Sequence, residues 1–291
     1  MNNRHFNYVE PNRWIQMREN DRLANQNATN KLNEYVDVIK TAATFYKNNL
    51  SNCKIDYVYK DKKGISVLPV KYKQENFPHL NGINIPFVSA NKKFDILLNG
   101  NNTLPLVIEK GNRTFDKLKL LPKLPELLDS NSTVLNNLQS VKQARKIGFD
   151  DAIKNQDKDL LLALQSFDPE FYTPKSLLNI TNNKRYEGIP ENTVLGIFKE
   201  KNIENGIKIE PLSLNKDSLD NIATTTEMLI GMKKYADELG KQRIKERNVS
   251  GKKQVSELSK EKKHAKKLTV KVDPRAREIA LRRMRNQGLE R

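Results

Sequence analysis

The chain has 291 residues, of which 37% are hydrophobic and 30% are charged, which predicts one compact domain with polar extensions. Its 52 Lys and Arg outnumber its 35 Asp and Glu, and the resulting net charge of +17 favours a polyanion, nucleic acid first, as the partner. Because no apolar run approaches the roughly 18 residues of a spanning helix, and the N-terminus lacks the apolar core of a signal peptide, we expect a cytoplasmic protein without a membrane partner.

Cysteine and histidine are too scarce for a disulfide framework or a metal cluster. Cys53 is the single cysteine, and the three histidines, His5, His79 and His264, lie far apart in the sequence. Thiolate and imidazole are the usual zinc ligands, and they normally occur at short spacings. We therefore expect no metal site and no cofactor, and any chemistry should be metal-independent.

The first half of the chain predicts a helix and then a hairpin. After a polar arm at residues 1–30, apolar side chains recur every three or four residues, at Leu32, Tyr35, Val36, Ile39, Ala42, Ala43, Tyr46 and Leu50. Residues 54–60 and 65–70 then alternate and are rich in β-branched and aromatic side chains, with Gly64 between them. They predict a β-hairpin whose second strand, which contains Pro69, lies near an edge or a bulge.

His79 follows this hairpin in the stretch Phe77-Pro78-His79-Leu80-Asn81-Gly82-Ile83. The unperturbed pKa of histidine lies nearest neutrality, so an imidazole held between a rigid Pro and an Asn-Gly turn can both take and give a proton. A structural histidine that caps the turn is the alternative interpretation. The predicted strands before and after this stretch provide the context for choosing between a catalytic and a structural His79.

Helices and further strands follow His79. Helices are predicted after Ser89 and Thr114, and a third from Val134 to Gly148, while Pro122 and Pro125 break or kink the second. Strand character returns at 160–164, 171–172, 193–199 and 207–212. The pattern predicts an α+β fold, with helices packed on a mainly antiparallel sheet of four to five strands and a basic helical C-terminal extension.

The C-terminal extension carries most of the excess charge. Residues 241–291 contain 18 Lys and Arg but six Asp and Glu, and Asp273-Pro274 opens a final predicted helix. We expect its arginines to bind nucleic-acid phosphates; they are Arg275, Arg277, Arg282, Arg283 and Arg285. A helix that docks a protein partner, a membrane-surface helix and a solvated basic helix without a specific partner are the alternatives.

Side chains suited to metal-independent RNA cleavage lie near the ends of the predicted strands. The reaction needs a base for the 2′-OH, an acid for the departing 5′-oxygen, and cations or donors around the phosphorane oxygens. The sequence offers His79, Tyr172, Thr173, Lys175, Ser176, Lys199 and Lys201. Taken singly, Ser176 reads as a helix cap and Lys199 as the solvent face of a strand.

Three stretches resemble one nuclease family. Residues 77–83, Tyr-Thr-Pro-Lys-Ser-Leu-Leu at 172–178 and Val-Leu-Gly-Ile-Phe-Lys at 194–199 are similar to the fourth type of phage-associated nuclease domains grouped with barnase, EndoU, the tRNase colicins and RelE. The resemblance covers about residues 31–212. It implies an α+β, metal-independent ribonuclease in which His79 is the acid or base, Ser176 a donor to the phosphate, and Lys199 the cation, with Lys201 or Lys175 as alternatives for that cation.

These observations predict three regions: a polar arm at 1–30, a nuclease-like domain at 31–215 and a basic helical tail at 216–291. The leading hypothesis is a phage or mobile-element ribonuclease that cleaves RNA by 2′-OH attack, with Tyr172, Thr173, Lys175 and Lys201 binding the substrate. The rival is a non-catalytic nucleic-acid-binding or phage assembly protein with the same fold. We expect RNA rather than DNA as the partner, a phage or mobile-element protein on the tail, and a cytoplasmic or virion-associated location.

Overall fold

The computed structural model of the protein describes residues 6–168, 170–181, 184–203 and 206–215, and of residues 167–168, 201–203 and 206–208 it describes the backbone alone. The strands in these ranges are β1 Asp21–Leu23, β2 Cys53–Asp61, β3 Gly64–Tyr72, β4 Ile83–Asn84, β5 Val107–Glu109, β6 Thr133–Leu135, β7 Asp151–Lys154, β8 Leu160–Asp168, β9 Phe171–Asn179, β10 Glu191–Ile203 and β11 Gly206–Leu214. The α-helices are α1 Gln26–Asn33, α2 Val36–Phe45, α3 Phe77–Asn81, α4 Ala90–Asn99, α5 Arg113–Leu120 and α6 Lys142–Ile147.

Seven strands close on themselves. Their order is β10-β2-β3-β9-β8-β7-β6, and β6 returns to β10 through three antiparallel pairs, Thr133 with Thr193, Val134 with Asn192 and Leu135 with Glu191. β11 pairs with β10 as a further strand. The short strands β1, β5 and β4 form a separate antiparallel sheet.

The prediction of helices on a four- to five-stranded open sheet is therefore wrong, since the described residues form a closed seven-stranded barrel with a further strand and a minority of helix. The error has a local cause. Val134, Leu135, Leu138 and Val141 follow a helical spacing, but Thr133–Leu135 is strand β6, and the helix α6 begins at Lys142. The pairing of β6 with β10 that closes the barrel joins distant segments, and local periodicity carries no signal for it.

Most other elements agree with the sequence. The hairpin is confirmed as β2 and β3, and the helix after Ser89 is confirmed as α4, because Ser89 Oγ accepts from Lys92 N and Gly100 ends the helix. The long helix expected to end at Leu50 is instead α1, α2 and a π-helical turn at Tyr46–Leu50. Pro122 and Pro125 do end α-helical geometry, since Leu121–Leu128 is a 3-10 helix.

One core joins helices and strands. Alternate side chains of the barrel strands meet in a single cluster, with Tyr57 and Tyr59 from β2 and Leu162 and Leu164 from β8. Since successive residues of a strand point to opposite faces, these side chains mark the face that the strands share. The helices α1 to α5 bury their apolar side chains in the same cluster. None of the described helices is long and apolar enough to cross a membrane.

The joint between β3 and β9 has the fewest paired residues in the barrel. The two strands are parallel and pair at one position, Val70 with Tyr172, whereas the antiparallel neighbours pair over three or more positions. Lys71 of β3 lies over the ring of Phe171 of β9, 4.8 Å from its centroid. The helix α3, which follows β3 after a short 3-10 turn, packs against β9. This joint, with α3 beside it, is called the seam below.

Candidate functional site

The helix α3 holds His79 beside the seam. Phe77 and Pro78 are buried at its start, and Pro78 suits the first turn because it has no N–H to leave unpaired. Buried Asn81 fixes its end, since its amide donates to the Phe77 carbonyl at 3.1 Å and its side-chain oxygen accepts from Ile83 N at 2.9 Å. His79 is exposed between these buried neighbours. The imidazole therefore projects from a short helix whose backbone is fixed on both sides.

Two side chains of α5 hold α3 in place. Lys117 Nζ donates to the His79 carbonyl at 3.3 Å and forms a short ion pair with Glu109. Thr114 Oγ1 donates to the Gly82 carbonyl at 2.9 Å. Gly82 has a φ of +71°, and a Cβ there would lie 3.2 Å from both the Lys117 and Thr114 side chains. A glycine is thus required at this turn for its backbone angle and for the close approach of α5.

Lys175 reaches the site through a bulge in β9. Ala163 of β8 pairs with Ser176, but Leu164 pairs with Pro174, so Lys175 is the extra residue between them. A bulge adds local twist and changes the direction of a side chain, and bulges occur often beside active sites. Lys175 is half-buried and lies near enough to His79 to affect its titration.

Arg18 and Lys93 complete the group from elements on either side. Arg18 belongs to the segment before β1 and pairs with Asp21 at 2.9 Å, and Lys93 of α4 donates to Asn84 Oδ1 at 2.8 Å. Burial lowers the pKa of Lys93, and the positive charge of Arg18 lowers it further. The same two causes, in the same order, lower the pKa of Lys175.

His79 is thus surrounded by positive charge. Although the residue is exposed, partial loss of water around its imidazole lowers its pKa from the ordinary value of 6.5. The positive charges of Arg18, Lys93, Lys175 and Lys117 lower the pKa further, in that order. These five side chains are called the His79 cluster below. No described side chain hydrogen-bonds the imidazole, so the neutral ring can accept a proton near neutral pH. Cations that repel one another in this way are stabilised by a bound anion.

Ser176 and Lys199 lie elsewhere and have structural partners. Ser176 is 7% exposed, shares a face of the sheet with its partner Ala163, and donates to the Leu177 carbonyl at 3.3 Å. Lys199 is also 7% exposed, and its ammonium donates to the Asn49 carbonyl at 2.6 Å. It is not among the charges that shift the pKa of His79. The catalytic roles of Ser176 and Lys199 stay predictions.

The remaining predicted residues are placed as follows. Tyr172 hydrogen-bonds the Asp151 carboxyl, and burial raises the pKa of that carboxyl. Thr173 Oγ1 donates to the Gln165 carbonyl at 3.2 Å. Lys201 pairs with Lys208 in the β10–β11 ladder, and its side chain lies outside the described residues. So do the arginines of the tail, Arg275, Arg277, Arg282, Arg283 and Arg285. Of the predicted residues, Lys175 is the one whose charge affects the pKa of His79, and it lies on the strand against which α3 packs.

One group of acidic side chains has the spacing of a cation site. Oxygens of Glu126, Asp157 and Asp159 lie within 4.8 Å of one another. The ammonium of Lys123 lies among them, 3.0 Å from Asp157 and 2.7 Å from Asp159. These contacts raise the pKa of Lys123, so the lysine stays charged and offsets one of the three carboxylate charges.

Sequence reasoning missed Arg18, Lys93 and Lys117. Arg18 lies in the predicted polar arm, and Lys93 and Lys117 lie in predicted helices. The chain contains so many lysines and arginines that none of the three stands out. The clearest usable signal is Asn81-Gly82, which predicts a tight turn after His79.

Comparison with known proteins identifies one family. A family model described as phage-Barnase-EndoU-ColicinE5/D-RelE like nuclease4 matches residues 38–216. The match covers more than half of the chain and confirms the resemblance seen in three stretches of the sequence. No curated protein and no solved structure matches.

Proposed function

Because the chain belongs to the phage-Barnase-EndoU-ColicinE5/D-RelE like nuclease4 family, we propose that it is a metal-independent endoribonuclease whose active site is the His79 cluster. Membership in a phage-associated nuclease family makes nucleic acid the substrate. RNA, rather than DNA, is favoured by the chemistry of the cluster, since a histidine with a lowered pKa suits deprotonation of a 2′-OH.

The observation that supports this site best is the convergence of four cations on one histidine. Arg18 lowers the pKa of His79, Lys93, Lys117 and Lys175. The helix α3 that carries His79 packs against α4, α5 and β9, which carry the three lysines. Asp21 pairs with Arg18 and Glu109 with Lys117 inside the protein, and a bound anion would stabilise the group further. A phosphate diester carries such a negative charge, and it gains more as a phosphorane forms.

The cluster can supply each part of the reaction. His79 takes the proton of the 2′-OH while the 2′-oxygen bonds to phosphorus. The bond from phosphorus to the 5′-oxygen breaks, and Lys175, an ammonium with a lowered pKa, gives that oxygen its proton. Arg18 and Lys93 stabilise the phosphorane oxygens, and Lys117 positions α3 through the His79 carbonyl. The products are a 2′,3′-cyclic phosphate and a 5′-hydroxyl.

A non-catalytic nucleic-acid-binding protein remains the second candidate. The structural hydrogen bonds of Ser176 and Lys199 favour it, because two of the three residues expected to act on the phosphate have protein partners. The exposure of His79 favours catalysis, since a base must reach its substrate.

A DNA oligonucleotide with a single internal ribonucleotide tests the proposal. We expect cleavage on the 3′ side of that ribose alone, a 2′,3′-cyclic phosphate on the product, and no cleavage of the all-DNA control. Cleavage of the all-DNA strand would exclude attack by a 2′-OH. Binding of RNA without cleavage under any buffer condition would favour the second candidate.

A further inference from the structure

The segment before β1 is fixed to the domain, yet it presents a large aromatic side chain to solvent. Its first described residue, Phe6, is buried and exchanges two hydrogen bonds with the Asn33 amide, at 2.7 and 3.0 Å. Ile15 is buried, and Arg18 is held by Asp21. Between these attachments Trp14 is 80% exposed. An indole so exposed contributes little to the core, although its backbone is held on both sides.

A second exposed aromatic lies under a residue of the same segment. Phe87 is 44% exposed, and the guanidinium carbon of Arg13 lies 3.5 Å from its ring centroid. Phe87 also has a φ of +66°, which is rare for a bulky residue and destabilises the backbone. Neither core packing nor backbone preference accounts for a phenylalanine at this position. Strained residues of this kind cluster at ligand sites.

Short stretches of chain connect both aromatics to the His79 cluster. Trp14 and Arg18 are four positions apart, so their Cα atoms are at most about 14 Å apart. Phe87 is three positions after Asn84, which accepts a hydrogen bond from Lys93. Arg13 adds a further cation beside Phe87. Aromatic rings interleaved with cations are the arrangement that binds unpaired nucleotides, because each base stacks on a ring while the cations follow the backbone.

We propose that Trp14 and the stacked pair Arg13–Phe87 form a platform that binds unpaired bases of single-stranded RNA next to the phosphate held at the His79 cluster. This inference rests on the proposed ribonuclease function and names its substrate as single-stranded. A duplex keeps its bases stacked inside and offers the platform no free base.

Intrinsic fluorescence tests the platform directly, because Trp14 is the single tryptophan of the chain. Full-length protein carrying His79→Ala is titrated with a single-stranded RNA oligonucleotide, with an abasic oligonucleotide of equal length and charge, and with the RNA duplex. We expect saturable quenching by the single strand and none by the other two. Binding of the single strand without quenching, or equal quenching by the abasic strand, would overturn the platform.

Kinetics of the active protein provide a second readout. Trp14→Ala should raise KM for an oligonucleotide roughly 5- to 150-fold, the loss expected for one stacked base, and should change kcat much less than KM. Trp14→Phe should retain most of the affinity. Met17→Ala is the matched control, since Met17 is 40% exposed on the same segment but is not aromatic.

The outcomes separate the platform from the ribonuclease proposal. Quenching by single strands in a protein that cleaves nothing would leave the platform standing and remove the ribonuclease. Cleavage with an unchanged KM in Trp14→Ala would remove the platform alone. Quenching of Trp14 by an added protein, but not by RNA, would mean that the exposed ring is a protein-docking site and would also overturn the platform.

Discussion

The positive charges around His79 make a prediction about pH. The lowered pKa of His79 should place the acid limb of the kcat/KM profile below the ordinary value of 6.5. Lys93→Met removes one of the responsible cations, so the pKa of His79 should rise and the limb should move to higher pH. Lys92→Met is the control, because Lys92 is an exposed neighbour that is not among these charges. Equal profiles for the wild type and Lys93→Met would contradict the influence of Lys93 on the pKa of His79.

The same shift affects stability in a defined direction. Because the folded pKa of His79 is lowered, the unfolded chain binds this proton more readily than the folded chain. Stability should therefore fall as the pH decreases through 6.5 toward the folded pKa. Chemical denaturation of His79→Gln should show a smaller loss over that window.

Lys175 is proposed as the acid, and substitutions can distinguish its role as a proton donor from its role as a cation. Lys175→Arg keeps a cation but cannot give up a proton, so we expect KM to stay near the wild-type value and kcat to fall about 10²- to 10⁴-fold. An RNA with sulfur in place of the 5′-oxygen has a leaving group that needs no acid, and it should restore the rate. A Lys175→Arg protein with normal kcat on ordinary RNA would contradict the assignment.

At the scale of elements, the placement of α3 depends on Gly82. Gly82 and Gly111 both have positive φ, but a Cβ would contact α5 at Gly82 and meet nothing within 4 Å at Gly111. We expect Gly111→Ala to cost about 1–2 kcal/mol from backbone strain alone, and Gly82→Ala to cost about 1–3 kcal/mol more from overpacking. Urea denaturation measures both. Equal costs would mean that α5 does not constrain the turn.

In this chain, local sequence patterns predict hairpins and helices well. They do not predict features that depend on pairing between strands far apart in the sequence. The hairpin β2–β3 and the helix α4 could be predicted because strand alternation, Ser89 and Gly100 are local signals. The bulge at Lys175 depends on the register between β8 and β9, which no short window of sequence contains. The sequence therefore predicts Lys175 as a substrate-binding residue but does not predict which residues lie near it.

At the scale of the whole molecule, closure of the barrel explains both the wrong fold prediction and the location of the site. Three residue pairs between β6 and β10 close the ring, while the single pair between β3 and β9 leaves a seam. The His79 cluster lies at this seam and draws on α3, α4, α5, β9 and the segment before β1. The sequence predicts that segment as a polar arm or a short helix laid on the body, and its Phe6 and Ile15 are buried in the described structure.

The predicted role of the C-terminal tail gives a test on the full-length protein. Replacement of the five arginines 275, 277, 282, 283 and 285 by Gln should make the slope of log K against log salt less steep by roughly 3.5–4.5, because each phosphate contact contributes about 0.7–0.9. A control with the same change in charge replaces five exposed lysines, namely Lys47, Lys60, Lys62, Lys63 and Lys119. Equal slopes for both variants would mean that the tail arginines do not contact nucleic acid.

The most direct test of the central claim is cleavage of RNA by the full-length protein in EDTA, with and without His79. The account predicts a 2′,3′-cyclic phosphate product without any divalent metal, loss of cleavage in His79→Ala with the thermal unfolding transition retained, and partial recovery with added imidazole. Cleavage that requires magnesium, or that persists in His79→Ala, would contradict it.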